Sequence, residues 1–274
     1  MLSPLSHADI IDALQAHIDL ACDDCLSEDA IDRFLAPEAV ARAPEAPPPP
    51  IIGVAEEAAP APRVFAQAPL TKINPKAAPT AAIDGAASLA DLAAIMQQFD
   101  GTALKKTAQN MVFSDGVAGS RVMLIGEAPG REEDRQAKPF VGPSGQLLDD
   151  MLALIGLDRS SVYICNLLPW RPPGDRAPNT EEVAQFLPFL RRHIALAQPE
   201  IIITVGGSST KALLDSADGI TKLRGKWASY AGVDGREIPV LPVFHPAFLL
   251  RTPARKAEMW RDLCALKTRL EVAR

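Results

Sequence analysis

Four short apolar runs that alternate with amphipathic segments limit most strongly how this chain can fold. They are "RVMLIGE" at 121–127, "SVYICNLL" at 161–168, "IIITVGG" at 201–207 and "IPVLPVFHP" at 238–246. Each run is almost continuously apolar and rich in β-branched residues, which is typical of strands covered on both faces in a parallel sheet. The pattern therefore predicts an α/β fold, a three-layer α/β/α sandwich with a central, mainly parallel sheet of four strands.

The segments between these runs have helical spacing. Residues 144–157 place their leucines, a methionine and an isoleucine on one face. The segment at 179–199 opens with Asn179 and Glu182 in the spacing of a capping box, and a further helical segment at 254–274 closes the chain. The alternation of strand and helix supports the layered α/β prediction.

The front of the chain has a different composition. Residues 1–35 have helical spacing and are predicted to form an N-terminal helical segment. Eleven of the 25 prolines lie between residues 37 and 79 amid alanine, and such a stretch buries too little apolar surface to offset its ordering entropy. We therefore predict a disordered linker over 36–87 and one α/β domain over 88–274, whose first helix is capped by Ser88.

Charge and hydropathy exclude several classes of protein. Residues 1–100 hold 5 Lys and Arg against 15 Asp and Glu, a balance of −10, whereas the remainder has a balance of +4. The second region is therefore the part that can meet a polyanion, although this excess is a weak indication. No apolar run reaches about 18 residues, and the start lacks the basic and apolar regions of a secretion signal. Four cysteines fit a reducing cytoplasm, and no membrane contact is expected.

Chemically capable residues follow the predicted strands. The first run leads into "GEAPGREED" at 126–134 and then "KPFVGPSG" at 138–145, the second ends at Asn166, the third at "GGSS" over 206–209, and the fourth at His245. The carboxyl ends of parallel strands share one edge of a sheet, where sites usually form. Glycines, a carboxylate, an aromatic ring, an amide and an imidazole are therefore predicted to converge there.

Each of these residues also has a purely structural interpretation. Residues 126–130 can form an ordinary tight turn, and Glu127 can simply tie down its loop. Phe140 can be a core residue, Asn166 a strand-end cap, and His245 a structural hydrogen-bonding group. Cys22 and Cys25 have the spacing of a metal-binding pair, but a second pair is missing. The residues alone leave these alternatives open.

Taken in order, the segments resemble the motifs of the family 4 uracil-DNA glycosylases. The resemblance covers about residues 99–266 and rests on "GEAPGREED…KPFVGPSGQLLDDML", "VYICNLLPWRPPGDRAPNTEEV", "KLRGKW" and "LPVFHPAFLLRTPARKAEMWRDL". It implies a hydrolase that cleaves the N-glycosidic bond of uracil in DNA during base excision repair. Uracil-containing DNA is then the expected partner, and the nucleoid the expected place of action within the cytoplasm.

The resemblance also implies roles for individual residues. Phe140 would stack on the flipped base, and the Asn166 amide would pair with the uracil edge. Glu127 and the backbone around Ala128 would hold the water and the sugar cation, and His245 would donate to uracil O2. The catalytic set is thus Glu127, Asn166 and His245; the substrate-binding set is Gly126, Ala128, Phe140 and Asn166; the expected DNA contacts are Arg171, Arg224 and Arg251.

One departure from the family concerns its four-iron, four-sulfur cluster, which four cysteines normally hold. Those ligand positions fall here on Phe99, Thr102, Trp170 and Phe186. None of these side chains supplies the thiolate that cluster ligation requires. We therefore predict that the cluster is absent, that no cofactor or metal replaces it, and that packing takes its place.

A second class of function remains open at this level. A DNA-binding paralogue of the same fold, of the phage-polymerase-related type, could have lost or altered the chemistry. The four retained site residues favour the enzyme, whereas the missing cysteines keep the paralogue open. We expect a monomer in either case, and the acidic N-terminal helix is a possible binding segment for an unknown protein.

Overall fold

The computed structural model describes residues 78–272. The predicted N-terminal helical segment and residues 36–77 of the predicted linker lie outside these residues. The strands of the described part are β1 (Ser114–Gly116), β2 (Val122–Gly126), β3 (Val162–Asn166), β4 (Ile201–Val205), β5 (Ala228–Ala231) and β6 (Glu237–Val243). Its α-helices are α1 (Thr80–Gly85), α2 (Leu89–Gln98), α3 (Arg131–Gln136), α4 (Pro143–Ala153), α5 (Thr180–Ala197), α6 (Gly207–Leu214), α7 (Ile220–Leu223), α8 (Pro246–Arg251) and α9 (Lys256–Val272).

The strands form one sheet of mixed direction in the order β1-β3-β2-β4-β6-β5. The four predicted runs are its parallel centre, with Gly126 of β2 beside Asn166 of β3. Every residue of β2, β3 and β4 is buried, so both faces of the sheet are covered, as continuous apolar runs predict.

The prediction of a four-stranded sheet is wrong. β1 and β5 add antiparallel edges, β1 against β3 and β5 against β6. Their sequences are Ser-Asp-Gly and Ala-Ser-Tyr-Ala, which are too short and too polar to form a recognisable apolar run. Short polar edge strands of this kind also discourage pairing with another chain.

The folded region begins earlier than the sequence indicates. Helix α1 lies inside the range predicted as linker, and its Ile83 side chain is fully buried. The carbonyl of Ala86 accepts hydrogen bonds from Arg192 of α5, from Nε at 3.2 Å and Nη2 at 2.5 Å. The boundary at residue 87 is therefore wrong, because one buried isoleucine among alanines leaves no periodic signal.

Two helix starts follow the predicted capping patterns. Ser88 Oγ accepts from the Asp91 backbone N–H at 3.1 Å at the start of α2. At the start of α5, Asn179 Oδ1 accepts from the Glu182 N–H at 2.8 Å, and Glu182 Oε2 accepts from the Asn179 N–H at 2.9 Å. Both caps satisfy N–H groups that a helix terminus leaves free.

An aromatic cluster, formed by Phe99, Trp170, Phe186 and Phe189, packs α5 against the segments around residues 99 and 170. Phe186 is its centre, with ring centroids 6.0 Å from Phe99, 5.7 Å from Trp170 and 5.9 Å from Phe189. All four side chains are buried. The cluster belongs to the same core as Ile83 of α1.

Candidate active site

A cavity of about 540 Å³ lies at the carboxyl end of the parallel strands. Glu127 and Ala128 enter its lining directly after β2, Asn166 at the end of β3, and His245 directly after β6. Phe140 reaches it from the loop between α3 and α4. The structure thus brings together an acidic, an amide, an imidazole and an aromatic side chain from separate parts of the chain.

The predicted substrate-binding residue Gly126 does not itself line the cavity, but it lies against two side chains that do. Gly126 pairs in register with Asn166, whose side chain is buried. A Cβ atom at Gly126 would overlap Asn166 Oδ1 and lie 2.6 Å from the Phe140 ring. Only glycine therefore allows the amide and the ring to approach each other over this strand end.

Phe140 has an unusual backbone. Its φ of 54° lies in the left-handed region, which a non-glycine residue rarely adopts. A Cβ atom at Gly145, in the first turn of α4, would overlap the Phe140 carbonyl. Residue 145 must therefore be glycine for Phe140 to adopt this conformation. The buried Phe140 ring lies 5.8 Å from the His245 ring at an interplanar angle of 29°. Strain of this kind persists where the surroundings hold a side chain in place for function.

His245 is held in one tautomer. It forms the N-cap of α8, and its Nδ1 accepts a hydrogen bond from the Ala247 N–H at 3.1 Å. Burial and the positive charge of Arg251 lower the pKa of His245 to about 4, against the opposing charge of Glu133. The ring is therefore neutral near pH 7, and with Nδ1 accepting, its proton resides on Nε2. The site holds an uncharged hydrogen-bond donor.

Glu127 is oriented by a residue that the motifs did not single out. Ser208 Oγ donates to Glu127 Oε2 at 2.7 Å, and Ser208 lies in the first turn of α6, after β4. The end of β4 thereby contributes to the site, because Ser208 in the helix that follows it contacts the Glu127 carboxylate. The "GGSS" segment marked the right place, but sequence alone gave Ser208 no role.

The three arginines expected to contact DNA have different environments. Arg251 lines the cavity and is exposed. Arg171 forms a bidentate pair with Asp175, at 2.6 Å from Nε and 2.9 Å from Nη2, and Asp175 also lines the cavity. Arg251 is thus at the cavity, and Arg171 lies beside it through its pair with Asp175.

Arg224 is engaged inside the protein. It binds the Asp262 carboxylate, with Nε to Oδ2 at 2.9 Å, and Nη1 donates to Glu258 Oε2 at 3.2 Å. Its guanidinium also lies 5.4 Å from the Phe244 ring centroid. Its side chain is only 15% exposed, which leaves little of it for a phosphate. Arg224 therefore joins α9 to the end of β6, next to His245, and is not among the residues at the cavity.

The cluster-ligand positions do not fit an iron–sulfur group. Phe99, Trp170 and Phe186 belong to the aromatic cluster, and buried Thr102 accepts from the Leu104 N–H at 3.2 Å. Thiolates are the required ligands, and none of these positions offers one. Residues 78–272 contain no group of three or more His, Cys, Asp or Glu side chains arranged for a metal ion.

Neither of the described cysteines occupies one of these positions. Cys165 is fully buried within β3, where burial raises the pKa of its thiol, and Cys264 lies in α9. Cys22 and Cys25 lie outside the described residues. Among the helices of residues 78–272, none has the length and apolarity needed to cross a bilayer.

The sheet and cavity define a class of α/β protein with a strand-end pocket lined by an aromatic ring, an amide and a neutral imidazole. The family model described as "Uracil DNA glycosylase superfamily" matches residues 113–264, more than half of the chain. The chain belongs to the uracil-DNA glycosylase superfamily.

Two type-4 uracil-DNA glycosylases and a phage DNA polymerase are among the proteins to which this chain is similar. The type-4 uracil-DNA glycosylase of Pyrobaculum aerophilum is 38% identical over 174 residues, which cover 62% of this chain and 88% of that protein. The type-4 uracil-DNA glycosylase of Thermotoga maritima is 39% identical over 143 residues, covering 52% and 72%. A DNA polymerase of Bacillus phage SP01 is 30% identical over 169 residues, covering 61% of this chain but 18% of the polymerase.

Proposed function

We propose that this protein is a uracil-DNA glycosylase, which hydrolyses the bond between the deoxyribose C1′ and uracil. The main support is the neutral His245 with Nε2–H as its donor, next to Phe140 and Asn166 in one cavity. The relatives named as type-4 uracil-DNA glycosylases support the same reaction.

Recognition starts with extrusion of the base, because the bond is out of reach inside a stacked duplex. Phe140 then stacks on the base, and the Asn166 amide accepts from uracil N3–H while donating to O4. Cytosine presents the opposite polarity at these two atoms, so the same amide opposes its binding. The packing of Asn166 against Gly126 supports a fixed orientation of this amide.

Bond cleavage produces an oxocarbenium-like sugar and a uracil anion. A donor aimed at uracil O2 lowers the energy of that anion, and His245 Nε2–H has the right charge state for it. Glu127 has two oxygens, of which Oε2 already accepts from Ser208. We assign Glu127 to holding the water and the cationic sugar, together with the backbone of Gly126 and Ala128.

Binding to DNA relies on cations beside the cavity. Arg251 and Arg171 are the proposed phosphate contacts, since such contacts position the strand and supply much of the affinity. Arg224 is left out because its side chain is only 15% exposed and it does not line the cavity, whereas Arg171, although also paired, is bound to a residue that does. We further propose that the protein acts as a monomer on the nucleoid in the cytoplasm, and that residues 1–35 bind another protein.

We also propose that the enzyme works without an iron–sulfur cluster. Three of the four ligand positions carry large aromatic side chains that pack on one another or on Phe189. Apolar contact then performs the structural role that metal ligation performs elsewhere in the family. No step of the proposed reaction uses the missing group.

The alternative is a DNA-binding paralogue without excision activity. The likeness to a phage DNA polymerase and the absence of thiolates at the four ligand positions favour this possibility. The cavity favours the enzyme instead, because a protein that only binds DNA does not need a half-buried neutral imidazole in the same cavity as an amide.

An excision assay distinguishes the two. The purified full-length protein is incubated with an end-labelled oligonucleotide containing one uracil, and alkali then cleaves the strand at any abasic site. We expect cleavage at the uracil only, and none with the matching cytosine oligonucleotide. The Asn166→Ala/His245→Ala double variant, prepared in the same way, controls for a contaminating glycosylase. Binding without cleavage would support the paralogue.

A further inference from the structure

Arg159 forms an ion-pair centre just outside the cavity. It lies in the loop before β3, where Nη1 binds Asp115 Oδ2 at 2.7 Å and Nε binds both Asp149 oxygens at 3.0 and 3.1 Å. The same guanidinium also donates to two backbone carbonyls, to Pro139 at 3.1 Å and to Phe140. No motif contained this residue, and the reaction proposed above does not use it directly.

Glu133 binds the other side of the same loop. Its Oε1 accepts from the Val141 N–H at 2.9 Å and from the Gly142 N–H at 2.8 Å. The carbonyls of residues 139 and 140 thus meet a cation, and the N–H groups of residues 141 and 142 meet an anion. Each charge faces the complementary end of the peptide dipoles, which strengthens these hydrogen bonds.

Phe140 lies at the centre of this arrangement in its left-handed conformation. A phenylalanine left to itself would leave that conformation, and its ring would then move away from His245. Two charged side chains from opposite directions hold the two flanking peptide groups instead. The loop is therefore fixed before any base arrives.

We propose, taking uracil excision as the reaction, that Arg159 is a positioning residue that acts together with Glu133. The pair holds Phe140 in its strained conformation, so that its ring is already in place when the extruded uracil enters. Arg159 does not line the cavity. Its contribution passes through the Pro139 and Phe140 carbonyls, and it raises the fraction of molecules ready to hold the base.

This role predicts a specific kinetic pattern. Suppose that in Arg159→Met the loop holds Phe140 in its binding conformation about a tenth of the time. The half-saturating DNA concentration then rises ~10-fold, because the apparent affinity scales with the fraction of molecules in that conformation. The rate constant at saturation stays close to that of the unmodified protein. A merely structural loss would instead reduce the amount of folded enzyme and lower the maximal rate at unchanged half-saturation.

Matched variants separate the carbonyl contacts from the ion pairs. Asp115→Asn and Asp149→Asn weaken the pairs one at a time but leave the guanidinium on the carbonyls, so each is expected to change half-saturation less than Arg159→Met. Arg159→Lys keeps the charge and should restore part of the effect. Arg236→Met, which removes an exposed pair with Asp234, is the control without effect.

A second measurement follows the base without chemistry. An oligonucleotide with 2′-fluoro-2′-deoxyuridine resists excision, and an adjacent 2-aminopurine becomes bright when the uracil leaves the stack. We expect Arg159→Met to need ~10-fold more protein to reach half of the full brightness but to reach the same brightness at saturation, because the apparent affinity scales with the competent fraction. His245→Ala should need no more protein than the unmodified chain. Should Arg159→Met fail to fold, Arg159→Lys and Glu133→Gln are measured in its place, with smaller shifts expected.

The outcomes are distinct. A folded Arg159→Met protein with unchanged half-saturation in both the kinetic and the brightness titration would overturn the positioning role, as would equal shifts in Asp115→Asn and Arg159→Met. If the unmodified protein brightens the probe but excises no uracil, the proposed function fails while the positioning role is still decided by the variants.

Discussion

The strand-end cavity and the aromatic cluster differ in the kind of side chain that occupies the positions of the family's motifs. The cavity has polar residues in constrained surroundings, with Gly126 packed against Asn166 and Phe140, and with Phe140 in the left-handed conformation. The aromatic cluster has large apolar side chains at three of the four positions where the family resemblance leads one to expect cysteine ligands. The cavity thus has polar side chains beside a strained backbone, whereas the aromatic cluster has only apolar packing.

The difference shows which groups apolar packing can replace and which it cannot. A structural iron–sulfur cluster contributes to the stability of the fold, and buried aromatic surface can contribute the same stability. A hydrogen-bond donor at a developing anion has no apolar substitute, since its contribution depends on its charge and direction. We therefore expect changes in the cluster to alter stability and changes in the cavity to alter rate.

The largest expected effect is on stability. Phe186→Ala removes the ring at the centre of the aromatic cluster and should lower the free energy of unfolding by about 3–5 kcal/mol. The excision rate constant of the folded fraction should be unchanged. Urea denaturation and single-turnover excision on the same sample measure both, with Phe186→Leu as the milder control. A slower rate at unchanged stability would mean that the cluster belongs to the site.

The next effect is on rate. His245→Ala should reduce the excision rate on the order of 10²–10³-fold, the usual loss for a donor at a developing anion. DNA binding should change little, because phosphate contacts supply most of it. His245→Asn retains an N-cap acceptor for the Ala247 N–H, so it controls for the lost cap. A variant that melts early yet excises at the normal rate would reduce His245 to a structural residue.

A truncation tests where the folded region begins. A protein starting at residue 88 loses α1, and with it the buried Ile83, so it should be less stable by about 1.5–3 kcal/mol than one starting at residue 78. Since α1 packs on α5 and no residue of either helix lines the cavity, both proteins should excise uracil alike while folded. Equal urea midpoints would show that α1 contributes nothing.

The smallest expected effect is that of pH. Because the pKa of His245 is lowered to about 4, its neutral form prevails at every pH above that value. The imidazole therefore does not become protonated as the pH falls through 6.5. The single-turnover rate should therefore show no histidine step between about pH 5 and 8. A step near pH 6.5 that disappears in His245→Asn would contradict the neutral donor.

The sequence predicted the centre of the sheet but not its edges. β2, β3, β4 and β6 are apolar because both of their faces are covered, and that pattern is readable. β1 and β5 are short and polar, and they exist only because a neighbouring strand offers its backbone. Helix α1 was not predicted for a related reason, because its stability comes from packing on α5 rather than from its own residues.

For the site, residue type and position after a strand indicated Asn166 and His245, and the family resemblance supplied roles. Contacts between residues far apart in the chain could not be read in this way. Arg159 meets Asp115 across 44 positions, and Ser208 meets Glu127 across 81. The internal engagement of Arg224 was equally invisible, because a basic residue in a motif looks the same whether it binds phosphate or carboxylate.

Iron content and uracil excision, measured on one sample, test the central claim most directly. The full-length protein is purified without added iron, its iron is quantified per chain, its visible spectrum is recorded, and the same sample is assayed on the uracil oligonucleotide before and after treatment with a chelator. We predict excision at the uracil, far less than one iron per chain, no absorbance band near 400 nm, and no loss on chelation. Stoichiometric iron with that band, or an iron-free protein that binds the oligonucleotide without cleaving it, would contradict the account.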